Sequence, residues 1–447
     1  MEDSIMTMSK YKISVIGLGM VGLSLAVVNA KKGYSTIGVD IDGGKISKLR
    51  DGNPDFFEPG LDIILRDSIR QEKICFTTDT NYAIRNSEIT FLTVGTPLKC
   101  GDGEVDLAQV KSAAEYVALS LKDKESFHLL VIKSTIPPMT TENLILPIFR
   151  DLIKCGRVAV VFNPEFLSAG FAINDLLKPH LIVIGANNKQ DSKMLERYYL
   201  DFYETPQEII HTDIPTAEII KYASNAFLAT KISFINSIAF LCQKIPGVDV
   251  NTVARAIGKQ SDTALPFLQA GPGFGGSCLP KDLTGLIRLS QEIGMSPDLF
   301  KAVKIVNDRQ LEAVMEMVDA QCSLTEGSTV AVLGLAFKNG TDDIRGSVSV
   351  KLVTRLLEGK VAVKVHDPKA LKNFERIFGA RVSYAATTTE CLKDSDCCII
   401  LTDWDAYRDM RPRDFRHMKS VNIIDARRIL RAEEFQGADF RAIGLGR

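Results

Sequence analysis

Short apolar runs recur through the first two hundred residues, each closed by glycine, proline or a polar turn residue. They occupy positions 12–16, 36–39, 89–94, 129–132, 158–162 and 181–184, with helical spacing between them, as in 23–32. Strands alternating with helices predict a parallel, doubly wound sheet whose ligands lie beyond the carboxyl ends of its strands. From 216 to 244 the pattern changes. Ile219, Ile220, Ala223, Phe227, Ile232, Phe234, Ile235, Ile238 and Leu241 recur at helical spacing, uninterrupted by proline or glycine. This predicts one long, largely buried helix of about 40 Å, serving as an interdomain spine or a subunit contact. A smaller helical region reaches about Gln321. The opening pattern then returns, with strands at 328–333, 362–365, 397–401 and 421–424 and a helix at 349–357. The chain reads as α/β, with doubly wound domains at 1–205 and 323–447 joined by a long central helix and a helical domain at 206–322.

The first strand runs straight into Gly17-Leu18-Gly19-Met20-Val21-Gly22, and the second ends at Asp40, 18 residues after Gly22. Gly17 makes a tight turn, Gly19 admits a pyrophosphate and Gly22 lets the helix pack on the strand. The N-terminus of the following helix, just after Met20-Val21-Gly22, faces the phosphates. Asp40 takes ribose hydroxyls and repels a 2′-phosphate, which favours NAD over NADP. This is a Rossmann unit. The second doubly wound half carries Gly334-Leu335-Ala336-Phe337-Lys338 at the matching turn, a degraded fingerprint that suits a nucleotide held in another way. Thr96, Thr135 and Glu165 follow strands and so fall on the cofactor side, although helix caps and turns occupy such positions too. Lys221 and Asn225 share one face of the long helix. Buried lysine is rare unless paired, so this is either a functional pair or a snorkelling lysine.

One decapeptide stands apart: Gly273-Phe274-Gly275-Gly276-Ser277-Cys278-Leu279-Pro280-Lys281-Asp282. A glycine run delivers a single cysteine to the start of a predicted helix, where the helix end favours the thiolate. Lys281 and Asp282 add charge and proton chemistry. The competing reading is a glycine-rich loop with an incidental core cysteine.

Composition narrows the classes. A chain of 447 residues supports two or three domains, and its net charge of −1 gives no electrostatic handle for nucleic acid or an acidic membrane. Nine cysteines without a CxxC pair point to reduced thiols and a cytoplasmic enzyme, and five scattered histidines suggest no metal site. No apolar run approaches the ~18 residues that span a bilayer. Residues 1–10 read as a short polar extension, not a secretory signal.

Taken together, these signatures resemble the UDP-glucose/GDP-mannose family of nucleotide-sugar 6-dehydrogenases over nearly the whole chain. The matching segments are the glycine turn with Val15-Ile16 before it, Lys133-Ser134-Thr135, Asn163-Pro164-Glu165-Phe166-Leu167 and Lys221-Tyr222-Ala223-Ser224-Asn225-Ala226-Phe227. The decapeptide, Gly334 to Lys338, Thr341-Asp342-Asp343-Ile344-Arg345 and Asp425-Ala426-Arg427-Arg428 complete the set. The resemblance implies a four-electron oxidation of a sugar C6 hydroxymethyl to a carboxylate. It would use two NAD⁺ and pass through a thiohemiacetal and a thioester on Cys278. It further implies that Lys221 stabilises oxyanions, that Asp282 and a water held by Thr135 move protons, that Glu165 assists thioester hydrolysis, and that Asn225 binds substrate and supports the developing anion. By the same resemblance, the glycine turn, Asp40, Lys45, Thr96, Thr135 and Arg345 contact NAD. Glu165, Phe166, Leu167, Lys221, Asn225, Phe267, Gly273, Lys338 and Arg427 contact the sugar nucleotide, and the enzyme is a homodimer or higher homo-oligomer.

Three stretches depart from the family pattern. Ala169 and Gly346 replace glutamates, and Asp262-Thr263-Ala264 replaces Arg-Ile-Gly, leaving Lys259 as the nearby cation. The Ser277 form of the loop ranks UDP-glucose first, GDP-mannose second and UDP-N-acetylhexosamine third. Two further readings stay open: a two-electron hydroxyacid dehydrogenase on a related scaffold, and a nucleotide-sugar binding protein without catalysis.

Overall fold

A computed structural model describes residues 11–99, 103–260, 268–435 and 439–446. Phe267, Asp262-Thr263-Ala264 and the 1–10 extension lie outside these. The chain divides into two compact units, Met1–Ala223 and Ser224–Arg447, and the break falls inside the long helix.

The first unit is built on an eight-stranded sheet. Its strands are β1 (Lys12–Ile16), β2 (Ser35–Val39), β3 (Ile74–Thr77), β4 (Ile89–Leu92), β5 (His128–Ile132), β6 (Val158–Phe162), β7 (Ile182–Gly185) and β8 (Ile209–Thr212). They lie in the order β3-β2-β1-β4-β5-β6-β7-β8. The order reverses between β1 and β4, which is where doubly wound sheets open a crevice for ligand. β4, β5 and β6 are buried along their whole lengths, as parallel strands covered on both faces must be. The parallel order stops at β6, which meets β7 through one antiparallel bridge, Phe162 to Gly185. The link between them carries only the short helix Ala172–Leu177, about 9 Å long at 1.5 Å per residue. That is shorter than the strand a parallel crossover would have to run back along.

The second unit holds a six-stranded parallel sheet. Its strands are β9 (Thr329–Leu333), β10 (Ala362–His366), β11 (Ser383–Tyr384), β12 (Cys397–Ile400), β13 (Asn422–Asp425) and β14 (Asp439–Ala442), in the order β11-β10-β9-β12-β13-β14. The two sheets share one turn geometry. Gly17 N–H donates to Val39 O at 2.8 Å, and Gly334 N–H donates to His366 O at 2.9 Å. Both glycines have positive φ, 92° and 98°, and a Cβ on either would strike the strand-end residue beside it, Val94 or Thr402. Only glycine makes this turn.

The long helix spans Ile214–Lys244. Ile214 and Ala217 pack in the core of the first unit, and Ile235, Ala239 and Cys242 in that of the second. Its length and composition alone would suffice to cross a bilayer, contrary to the sequence expectation, yet these core contacts and a buried Glu218 and Lys221 show it packed within the protein. Burial is also less complete than its periodicity predicts. Phe227, Phe234 and Leu241, seven residues apart, stay 59%, 50% and 61% exposed.

Candidate active site

In the first unit the glycine turn leaves room for a ligand. A Cβ on Gly22 would lie 1.9 Å from Gly17 O, so helix Met20–Lys31 packs tightly on the turn, whereas a Cβ on Gly19 would meet nothing within 4 Å. No side chain caps that helix, which leaves its first N–H groups for an anion. Asp40 closes the other side. Its Oδ2 accepts from Leu18 N–H at 2.9 Å and from Lys45 Nζ at 3.0 Å. Lys45 is thus already paired with the acid expected to hold the ribose. Ile41, next in sequence, is 95% exposed and offers an apolar face that sequence reasoning passed over. The open turn, uncapped helix and acid suit a dinucleotide such as NAD.

The ends of β4 and β5 are tied together, since Thr96 Oγ1 donates to Thr135 O at 2.8 Å and Ser134 Oγ to Val94 O at 2.7 Å. Beyond β6, Glu165 turns back on its own loop, and its Oε2 accepts from Leu167 N–H at 2.6 Å. Its Oε1 meets Lys221 Nζ at 3.1 Å, with both side chains almost fully buried. The same ammonium lies 5.4 Å from the centre of the Phe166 ring. Glu165, Phe166, Leu167 and Lys221 are therefore brought together.

Two buried charges in this unit received no role from the sequence. Lys133 donates to Asn163 Oδ1 at 2.7 Å. Burial, reinforced by like charge on Lys221 and partly offset by Glu165, pulls its pKa down to about 8. Glu218 accepts from Met139 N–H at 2.6 Å and Thr141 N–H at 2.9 Å, pinning the start of the long helix one turn before Lys221. Burial pushes its pKa up to about 7 against the pull of those bonds. Lys133 lies in the Lys133-Ser134-Thr135 segment, which names no role for it, and Glu218 lies in no motif.

In the second unit the decapeptide forms a loop ending at helix Leu279–Glu292, and exposed Cys278 is the residue that caps that helix. Asp282, in the first turn, is 1% exposed. Its Oδ2 accepts from Asn225 Nδ2 at 2.6 Å and its Oδ1 from Lys281 Nζ at 2.5 Å. A carboxylate with one amide and one ammonium donor is held in a single orientation.

The loop's glycines are set by close neighbours. A Cβ on Gly275 would fall 2.4 Å from Gly346 O, and one on Gly276 would fall 2.9 Å from the Phe337 ring. Gly346 itself has φ 63°, a conformation that disfavours the glutamate of the family pattern. Gly276 N–H donates to Arg345 O at 2.9 Å. Asn307 clamps Phe274 from both sides, accepting its N–H at 2.7 Å and donating to its carbonyl at 3.1 Å. Asn236 Oδ1, on the long helix, accepts Gly271 N–H at 2.9 Å. Asn236 and Asn307 are lone residues far from the loop in sequence, and no local pattern marks them, whereas Phe337 lies in the Gly334–Lys338 turn.

Arg345 is held by Asp343 through three bonds of 2.7–3.0 Å, and Cys278 lies within its electrostatic reach. Arg427 donates to Leu401 O at 2.7 Å and to Phe337 O at 2.9 Å, and together with Gly273 it lines a small cleft that also includes Lys351. Lys338 follows Phe337, half-buried. Asp367 stands in the second sheet where Asp40 stands in the first. Its oxygens accept from the N–H groups of Leu335, Ala336, Lys369 and Ala370 and from Trp404 Nε1. Buried and saturated, it has no capacity left for a ribose, which explains structurally why the second fingerprint does not repeat the first.

Three family models match consecutive stretches of the chain. They are described as the NAD binding domain of the UDP-glucose/GDP-mannose dehydrogenase family (residues 11–203), its central domain (215–309) and its UDP binding domain (331–432). The chain belongs to the UDP-glucose/GDP-mannose dehydrogenase family. A UDP-glucose 6-dehydrogenase of Rhizobium meliloti (strain 1021) is 37% identical over 98% of this chain and 99% of its own. The UDP-glucose 6-dehydrogenase TuaD of Bacillus subtilis (strain 168) is 37% identical over 98% and 93%. Among solved structures, a UDP-glucose dehydrogenase from Pyrobaculum islandicum superposes with a TM-score of 0.89 at 34% identity, covering 98% of both chains. The protein is an NAD-dependent oxidoreductase of this family, and its glycine turn and Asp40 lie in the NAD binding domain.

Proposed function

We infer that this dehydrogenase oxidises UDP-glucose to UDP-glucuronate, with Cys278 as the nucleophile. The observation that carries the reading is an exposed thiol at a helix N-terminus, beside the paired Asp282 and Asn225, in a chain whose other half is an NAD binding domain. NAD⁺, when bound, supplies the hydride acceptor for each of the two oxidations. The residues of the chain supply the rest. Helix Leu279–Glu292 and the Arg345 guanidinium favour the Cys278 thiolate, which adds to the aldehyde carbon formed by the first oxidation. Lys221 and Asn225 donate to the oxyanion that develops on the C6 oxygen. Asp282, fixed by Asn225 and Lys281, takes the hydroxyl proton, with a water held by Thr135 as relay. After the second oxidation leaves a thioester, Glu165 draws a proton from the attacking water, and the Cys278 thiolate departs. Lys338 and Arg427 bind the diphosphate or the ribose of the nucleotide, with Gly273 sharing the cleft that Arg427 lines, and Phe166 and Leu167 frame the sugar.

Stoichiometry tests the reading. Two NADH should form per UDP-glucose consumed, and Cys278→Ala should make none beyond background. One NADH per sugar, or full activity in that variant, would overturn it. A screen of UDP-glucose, GDP-mannose, UDP-N-acetylglucosamine and UDP-N-acetylmannosamine tests the sugar, with the highest kcat/KM expected for UDP-glucose.

The stripe of Phe227, Phe234 and Leu241 on the long helix supports a homodimer that covers it. Sedimentation of the wild type should give a dimer and Phe234→Glu should shift it towards monomer. A monomeric wild type would refute the assembly.

A further inference from the structure

Five cysteines lie in the core of the second unit: Cys242 on the long helix, and Cys322, Cys391, Cys397 and Cys398. Cys397 and Cys398 are neighbours in β12, so the pleat sends them to opposite faces of the sheet. Cys397 faces Cys322, the residue that ends helix Gln310–Gln321, and the two sulfurs lie 3.0 Å apart. That is closer than unbonded sulfurs normally pack, and about 1 Å of closure would bring them to the ~2.05 Å of a covalent bond. We propose that Cys322 and Cys397 are a redox-modification site of this dehydrogenase, forming an intramolecular disulfide on exposure to a hydroperoxide.

The two thiols are not equivalent. Cys397 is 0% exposed, and its hydrogen bond with Cys322, together with burial, pushes its pKa well up. The hydrogen bond between the two sulfurs pulls Cys322 the other way, towards thiolate. Cys322 is also the one with access. It is 4% exposed, and it adjoins a chain segment whose next residue, Ser323, is open to solvent. A water-sized peroxide therefore reaches Cys322 first.

The chemistry balances. The Cys322 thiolate attacks one peroxide oxygen, the O–O bond breaks, and hydroxide leaves to be protonated to water, giving a sulfenic acid. The Cys397 sulfur attacks Cys322 Sγ, the S–O bond breaks, and hydroxide leaves with the Cys397 proton as a second water. Two thiols lose two electrons and the peroxide gains them. The new bond joins the end of helix Gln310–Gln321 to the strand next to β9, which leads into the loop at Gly334–Lys338. It closes a long loop, so it acts mainly by restricting the unfolded chain.

The full-length enzyme is treated with hydrogen peroxide, denatured in a thiol-alkylating reagent and mapped by peptide mass. The expected product is one cross-linked pair carrying Cys322 and Cys397, lighter than the two free peptides by two hydrogens and split by dithiothreitol. Oxidation of the exposed Cys278 appears on a separate peptide and does not enter the readout. In a Cys278→Ala background, peroxide should raise Tm by about 5–10 °C. The rise should vanish in Cys397→Ser, where Cys322 should instead be trapped by dimedone as a sulfenic acid. Both cysteines recovered fully alkylated after peroxide, or cross-linked to other partners, would overturn the proposal.

Discussion

Lys221 Nζ lies 3.1 Å from Glu165 Oε1, in a pair whose side chains are only 4% and 6% exposed. Removing one member strands the other charge in a dry site, and breaking such pairs costs roughly 3–5 kcal/mol. Lys221→Ala should therefore lower Tm by several degrees. It should also cut kcat by about 10²–10³, the cost of one oxyanion donor. Lys221→Met with Glu165→Gln removes both charges, so this double variant should recover much of the stability and none of the activity. Calorimetry and NADH production separate the two effects. Unchanged kcat in Lys221→Ala would remove this lysine from the chemistry.

Lys133 gives the site a pH signature. Its pKa is about 8 in the folded protein against an ordinary 10.5, because burial disfavours the ammonium. Below pH 8 both folded and unfolded chains carry the proton, and the desolvation penalty is present in full. Between pH 8 and 10.5 the unfolded chain binds more protons than the folded one, so the penalty fades and stability rises with pH. The stability of wild type minus that of Lys133→Met should increase by roughly 3 kcal/mol across this window. Urea unfolding at pH 7.5, 9 and 10.5 measures it, and a flat difference would show that Lys133 titrates normally.

Gly275 tests the seat of the cysteine loop. An added methyl would fall 2.4 Å from the Gly346 carbonyl oxygen and 3.2 Å from the Phe337 Cβ, with no flexible side-chain end to yield. Gly275→Ala should displace Cys278 and reduce kcat about 100-fold, as misplaced reacting groups do. NAD affinity should hold, because the glycine turn and Asp40 belong to the other compact unit. Equal losses in NAD binding and kcat would point to general unfolding instead.

The sequence made both Rossmann-like halves legible, because strand, glycine, helix and second strand follow in fixed spacing. It could not show that Asp367 is already saturated, since its five donors come from Leu335, Ala336, Lys369, Ala370 and Trp404, scattered over seventy residues. Asn236 and Asn307, which hold the cysteine loop, were equally invisible, for an isolated asparagine on a helix carries no signal of its distant partner. The long helix was predictable from its period. Which of its apolar faces stays open was not, because periodicity marks a face without naming what covers it. Likewise, the antiparallel bridge at β7 depends on the length of one short helix, not on any strand pattern.

The pairing of Asp40 with Lys45 bears on cofactor choice. At 3.0 Å, Lys45 is neutralised by an acid that also repels a 2′-phosphate. Asp40→Asn removes the repulsion and releases the lysine in one step, turning an obstacle into a phosphate partner. The ratio of kcat/KM for NADP to that for NAD should rise at least about tenfold, equivalent to 1.4 kcal/mol. Adding Lys45→Ala should reverse most of the gain, because the freed cation supplies the attraction. A ratio that fails to move in Asp40→Asn would mean that discrimination lies elsewhere in the NAD binding domain. A gain that persists without Lys45 would mean that lost repulsion alone sets it.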